Sequence, residues 1–214
     1  MTNRNYTPFD RLVMNFDHGV RTVFGKPEVT ERPNPAEGLA EAELTDAEKQ
    51  LVIRLMRINH AGEVSAQALY QGQAMTAKLP EVREKMARAA LEENDHLEWC
   101  ERRITELGSH TSLLNPLWYG GSLVIGALAG KVGDKWSLGF VAETERQVIS
   151  HLEEHLEQIP EKDLKSRKIL EQMKEDEAHH GNMAVEAGGA ALPAPVKGFM
   201  QLTSKLMTKS AYWL

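Results

Sequence analysis

The chain has 214 residues, 42% of them hydrophobic, and carries 25 Lys and Arg against 31 Asp and Glu, a net charge of −6. That length can bury a substantial core as a single domain, and the acidic balance argues against nucleic acid as a partner, since such a surface needs clustered cations. The one cysteine, Cys100, excludes an internal disulfide and any cysteine-based zinc or rubredoxin-type iron site; it reads as a small buried hydrophobe.

In chain order, Arg4, Asp10, Arg11 and Asp17 interrupt the first apolar residues, so a continuous secretory core is missing and the protein is expected to stay inside the cell. Residues 1–44 read as one short helix followed by a linker, because 27–44 is rich in Pro, Glu and Ala without a period. Residues 45–214 read as one helical domain. Thr45-Asp46-Ala47-Glu48 has the form of a capping box, and the helix it opens can run to the Lys78-Leu79-Pro80 break. A second helix is expected from about Pro80 to Leu107, with Gly108 placed to stop it. Residues 108–130 contain no Asp, Glu, Lys or Arg, but Asn115, Pro116 and several glycines make the stretch a poor membrane-spanning helix. It reads as an apolar hairpin arm, exposed or dipping into a membrane over about 108–132; the alternative is a crossover helix packed on the bundle. Further helices are expected from about Asp134 to Ile159 and from about Leu164 to Ala187. Beyond Pro195, Lys197, Gln201, Lys205 and Lys209 form one stripe and Val196, Phe199, Met200, Leu206 and Met207 another, with no acid through 195–214. A basic amphipathic helix of this kind suits an anionic membrane surface, or else caps the protein's own core. No stretch has a strand pattern, so the fold is expected to be all-α.

Across these helices one pattern occurs twice: Glu63 followed by Glu93-x-x-His96, and Glu145 followed by Glu177-x-x-His180. Residues three apart share a helix face, so each Glu-x-x-His aims a carboxylate and an imidazole at one point. Glu63 and His96 lie about sixteen residues either side of the Leu79/Pro80 break, roughly 25 Å at 1.5 Å per residue, so antiparallel neighbours bring them level. Glu145 and Glu177 are spaced in the same way about Glu161. Two helices supplying Glu and two supplying Glu-x-x-His form the inward ligand set of the di-iron and di-manganese carboxylate bundles. The competing reading, that helical glutamates are solvated surface, does not account for two hits at matched heights. His179 allows a shifted register, Asp176-x-x-His179. His60 is a further imidazole, better explained by packing. Tyr70 and His151 are candidates to support the ligands, Tyr70 being better explained as a plain core aromatic.

The runs Arg57-Ile58-Asn59-His60-Ala61-Gly62-Glu63, Glu92-Glu93-Asn94-Asp95-His96-Leu97 and Glu175-Asp176-Glu177-Ala178-His179-His180 closely resemble the demethoxyubiquinone hydroxylases, di-iron quinol monooxygenases of ubiquinone biosynthesis. The resemblance runs from about Leu44 to the C-terminus. It implies a ferritin-like four-helix bundle with an extra apolar crossover helix between the ligand pairs and a basic C-terminal helix. It also implies Glu63, Glu93, His96, Glu145, Glu177 and His180 as ligands, and a histidine near the metals at His151. The implied reaction is O2-dependent hydroxylation of a polyprenylated methoxy-methyl-benzoquinol by an enzyme peripheral to the cytoplasmic side of the cell membrane.

Four carboxylates can neutralise and bridge two iron ions while two imidazoles add nitrogen donors; manganese accepts the same set. No Gly-x-Gly-x-x-Gly follows a strand, so no bound dinucleotide is expected and electrons must come from an external donor. Exposed apolar surface is expected to favour a membrane, a homo-oligomer or companion biosynthetic proteins. Two other classes stand beside the monooxygenase. One is a ferritin-like iron-handling or peroxide-detoxifying protein, which needs no basic tail. The other is a non-catalytic lipid-binding scaffold, which needs no metal.

Overall fold

The computed structural model describes residues 7–26, 29–30 and 32–214; Arg4 and linker residues 27, 28 and 31 lie outside the described residues. Seven helices follow in order: α1 (Pro8–Phe24), α2 (Asp46–Thr76), α3 (Pro80–Glu106), α4 (Asn115–Val132), α5 (Asp134–Gln158), α6 (Leu164–Glu186) and α7 (Ala194–Ala211), with no strand among the described residues. Helix starts follow the local chemistry. At Thr45 the side chain accepts from the Glu48 amide while Glu48 caps the Thr45 amide in return, satisfying donors that an uncapped first turn leaves open. Thr7 and Asp10 repeat the device at α1.

Helices α2 and α3 form one hairpin and α5 and α6 another, and the two hairpins close the four-helix bundle. Its core is divided in two. One apolar cluster holds Ile53 and Met56 of α2, Trp99 and Ile104 of α3, Leu152 of α5 and Ile169 and Met173 of α6. The other holds Ala66 and Tyr70, Val82 and Met86, Leu138 and Val141, and Ala184 from the same four helices. On every helix the predicted ligands fall between the two sets. Buried apolar side chains contribute roughly 1.5–3 kcal/mol each, and these layers must offset the cost of holding carboxylates away from water.

The stretch after Gly108 is not a hairpin arm: it forms the single helix α4, laid along α2. The reason is close backbone approach. A Cβ on Gly126 would lie 2.3 Å from the Leu69 carbonyl oxygen, and one on Gly72 would lie 2.4 Å from that of Leu123, so only glycines permit this contact. Gly133, at φ 133°, then reverses the chain into α5. No described helix is long and apolar enough to cross a membrane. Helix α7 returns over α2, burying Ala211 beside Ile58 and Ala61. Arg54 lies 4.9 Å from the Tyr212 ring centre and 4.4 Å from that of Trp213.

Candidate metal centre

Helical spacing aims Glu93 with His96, and Glu177 with His180, into the gap between the two core layers, while α2 and α5 bring Glu63 and Glu145. One donor atom from each of Glu63, Glu93, His96 and Glu177 lies within 4.8 Å of the others, all buried. His180 turns Nδ1 to the same centre, 3.2 Å from Glu177 Oε2 and 3.3 Å from Glu93 Oε1. Glu145 is buried beside them and accepts a hydrogen bond from the Tyr70 hydroxyl. His179 is exposed on α6, turned away from the centre.

The outer partners are exchanged between the two motifs. His96 Nε2 lies 2.9 Å from Asp176 Oδ2, and His180 Nε2 lies 2.7 Å from Glu92 Oε2. Thus the acid immediately before each Glu-x-x-His holds the imidazole of the other. A carboxylate at Nε2 fixes the ring and reserves Nδ1 for the centre, the usual support of a ligating histidine. Ligand spacing does not predict this pair, although the sequence carries its signal: an acid precedes Glu93 and Glu177 alike. Nor does it predict the linker's role. Arg32 donates from Nη1 to Asp176 at 2.7 Å and from Nε to Asp95 at 2.8 Å, while the Thr30 amide donates to Asp95 at 2.6 Å. Residues 30 and 32 therefore strap α3 to α6 over the His96 end of the site.

Crowding of like charges in a dry layer sets the electrostatics. Burial, with the Glu93 charge added, pushes the Glu63 carboxyl well above the usual carboxylate range; burial with Glu177 and Glu93 does the same to Glu145. Burial also opposes ionisation of Glu93, but hydrogen bonds from His180 and His96 outweigh it and hold that carboxyl low. For His180 burial disfavours the charged ring, yet Glu177 and Glu93 outweigh it and hold it up to about 12. His96 is likewise raised, chiefly by Asp176 and Glu177 against its burial. Glu145 Oε2 is buried with no hydrogen-bond partner, while Glu93 Oε1 and Glu177 Oε1 face only ring nitrogens, 3.3 Å from His180 Nδ1 and 3.1 Å from His96 Nδ1. Buried carboxylate oxygens converging with two inward Nδ1 atoms fit divalent cations with mixed oxygen and nitrogen ligation.

Beside Glu63 lies a cavity of about 320 Å³, walled by Leu69 of α2, Leu117 and Ile125 of α4, Phe140 of α5, and Phe199 and Met207 of α7. Polar side chains, among them Asn59, Thr144, Gln147 and His151, interrupt this largely apolar wall. Asn59 meets His155 Nδ1 through Oδ1 at 2.8 Å, and its amide nitrogen has no hydrogen-bond partner. His151 stands in the cavity wall, stacked 6.5 Å from His155, rather than hydrogen-bonded to a predicted ligand. His60 is a packing residue, 3.4 Å from Asn115 and brought down to about 4 by burial. Cys100 is buried against Met173, its thiol raised by burial, as a hydrophobe would be placed.

Comparisons with known proteins agree with this geometry. The family described as "Ubiquinone biosynthesis protein COQ7" matches residues 50–211. A protein of Nitrosococcus oceani named 3-demethoxyubiquinol 3-hydroxylase is 60% identical over 214 residues, covering 100% of both chains. A protein of the same name from Acinetobacter baumannii is 59% identical over 211 residues, covering 99% of this chain and 100% of its own. Among solved structures, the bacterioferritin-related dodecameric thioferritin of Bacteroides fragilis superposes with a TM-score of 0.54 at 19% identity, over 63% of this chain and 82% of that one, a likeness of fold alone.

Proposed function

The chain belongs to the family of the ubiquinone biosynthesis protein COQ7, and on that premise we propose that it hydroxylates the ring of a polyprenylated demethoxyubiquinol with one atom of O2, as a 3-demethoxyubiquinol 3-hydroxylase. The observation that carries the reading is that Glu63 belongs both to the buried carboxylate and histidine cluster and to the wall of the apolar cavity. A ring lying in that cavity is next to the ligands, and bulk water is displaced by Leu69, Ile125 and Phe140.

Glu63, Glu93, His96, Glu145, Glu177 and His180 are the residues that would hold two iron ions. Such a centre, when loaded, supplies the electron transfer and O2 activation that ring hydroxylation requires. The chain's own residues orient and isolate the reaction. Glu92 and Asp176 hold the two imidazoles, and the Tyr70 hydroxyl holds Glu145. The unpartnered Asn59 amide can donate to an oxygen of the quinol head, and His151 in the cavity wall can accept a proton from its hydroxyl. Electrons come from an external donor. The isoprenoid tail stays in lipid, with the protein peripheral on the cytoplasmic face of the membrane, docked through the outward sides of α4 and α7; Leu117 and Phe199, both more than half exposed, form the cavity rim there.

The experiment is metal analysis and product formation together. About two irons per chain, lost or halved in Glu177→Ala and Glu145→Ala, with O2-dependent hydroxylation of the demethoxyquinol, is the expected result. Manganese in place of iron would correct the metal. Iron uptake without quinol oxidation would instead mark an iron-handling protein, and no stoichiometric metal would refute the centre.

A further inference from the structure

Helix α1 takes no part in the reaction, and its polarity is inverted for a helix resting on a bundle. Asn15, Gly19 and Thr22 face inward: Asn15 accepts from Gln71 at 2.9 Å, Gly19 lies against Tyr119, and Thr22 is buried. Phe9, Val13, Phe16, Val20 and Phe24 recur at helical spacing on the outside, with Phe9 71%, Phe16 72% and Phe24 75% exposed. Val23, on the edge leading to that stripe, packs with Tyr119 and Leu123, so the stripe borders α4. Helix α4 in turn exposes Leu117, Val124 and Leu128 between its α1 edge and its cavity edge, and α7 exposes Phe199, Leu202 and Leu206 beyond the cavity.

We propose that α1 is a third lipid-contacting element, its phenylalanine stripe entering the acyl boundary of an anionic membrane alongside α4 and α7. The inference rests on the membrane-docking part of the proposed function and adds α1 to it. Continuity is the first argument, because α1 borders α4, α4 and α7 flank the cavity, and each of the three carries an outward apolar stripe of the kind that marks a membrane or protein contact. Charge is the second. The α7 stripe is flanked by Lys205 and Lys209 with no acid through residues 195–214. A second copy docking by the same face would set these cations against each other, whereas anionic headgroups neutralise them. On α1, Asp17 at the edge of the stripe is paired with Arg21 at 2.8 Å, which offsets its charge.

The test uses the iron-loaded full chain and vesicles of phosphatidylglycerol and phosphatidylethanolamine. Phe16→Ser/Phe24→Ser should lower vesicle partitioning about tenfold per phenylalanine while leaving hydroxylation of a short-chain, water-soluble quinol unchanged. Against the background of the four native tryptophans measured in the unaltered protein, Phe16→Trp should show added quenching by bromine-labelled acyl chains on binding. Unchanged partitioning with no added quenching would overturn the assignment. So would a dimer in lipid-free solution that the double serine variant dissociates without loss of vesicle binding, which would give the stripe to a second copy. Leu202→Ser/Leu206→Ser separates the two readings. Release by that variant alone defeats only the α1 inference; failure of the unaltered protein to bind vesicles defeats the membrane reading on which it rests.

Discussion

Replacing Asp176 with alanine removes the carboxylate at His96 Nε2 while leaving every predicted ligand in place. In the intact protein Asp176 Oδ2 lies 2.9 Å from that ring nitrogen and 2.7 Å from Arg32 Nη1, so the substitution strips His96 of its outer support and releases the strap together. Loss of one such partner weakens metal binding by about 10–100-fold, or roughly 1.4–2.8 kcal/mol. The assay is competitive titration with a chelator of known affinity, read by metal analysis, alongside denaturant melts of the metal-free protein. Glu92→Ala should behave alike through His180. Asp95→Ala is the control. It costs stability by freeing Arg32 Nε and the Thr30 amide, but it touches no imidazole and should leave affinity within a few fold. Equal affinity in Asp176→Ala and the unaltered protein, or an equal loss in Asp95→Ala, would refute the idea that exchanged carboxylates orient the ligands.

Tyr70→Phe leaves Glu145 without its hydroxyl donor, and a buried group stripped of its partner costs about 1–3 kcal/mol; urea melts of the metal-free protein should show it. Arg103→Met should cost about 3–5 kcal/mol with metal affinity intact, because Arg103 is fully buried at the end of the bundle and its Nη2 lies 3.0 Å from buried Asp163. The same arginine, with burial opposing it, holds the Glu41 carboxyl down at about 2. A depressed acid stabilises the fold above its ordinary value near 4.5 and loses that contribution as pH falls towards 2. Melts between pH 4.5 and 2 should therefore fall more steeply in the unaltered protein than in Arg103→Met. Gly126→Ala places a Cβ 2.3 Å from the Leu69 carbonyl and must lift α4 from α2. A melting free energy lower by about 1–3 kcal/mol is expected, and an unchanged melt would contradict the close packing.

What could be read before folding was whatever repeats along one helix. Rise and period alone place Glu93 with His96, and Glu177 with His180, and level them with Glu63 and Glu145 about the two turns, so the bundle and its buried layer of carboxylates and imidazoles are visible in spacing. The capping box at Thr45 and the breaks at Pro80 and Gly108 likewise depend only on neighbouring residues, and their helix ends lie where the chemistry of those neighbours puts them. The quinol substrate came from motif resemblance, since ligand spacing does not encode the molecule in the cavity.

Tertiary structure decided what depends on how one helix is turned towards another. Whether His179 or His180 faces inward is a rotation of α6, set by burial of Met173 and Ala184 on the same side. The crossing of Glu92 to His180 and Asp176 to His96, and the reach of Arg32 across 144 residues of sequence, are contacts between elements that no local period links. The charge-free stretch had the composition of an exposed arm, and became a packed helix because Gly72 and Gly126 let two backbones meet. Local geometry is written into the chain by bond rotations a few residues long, whereas these partnerships exist only once the hydrophobic layers have fixed the helices' mutual rotation.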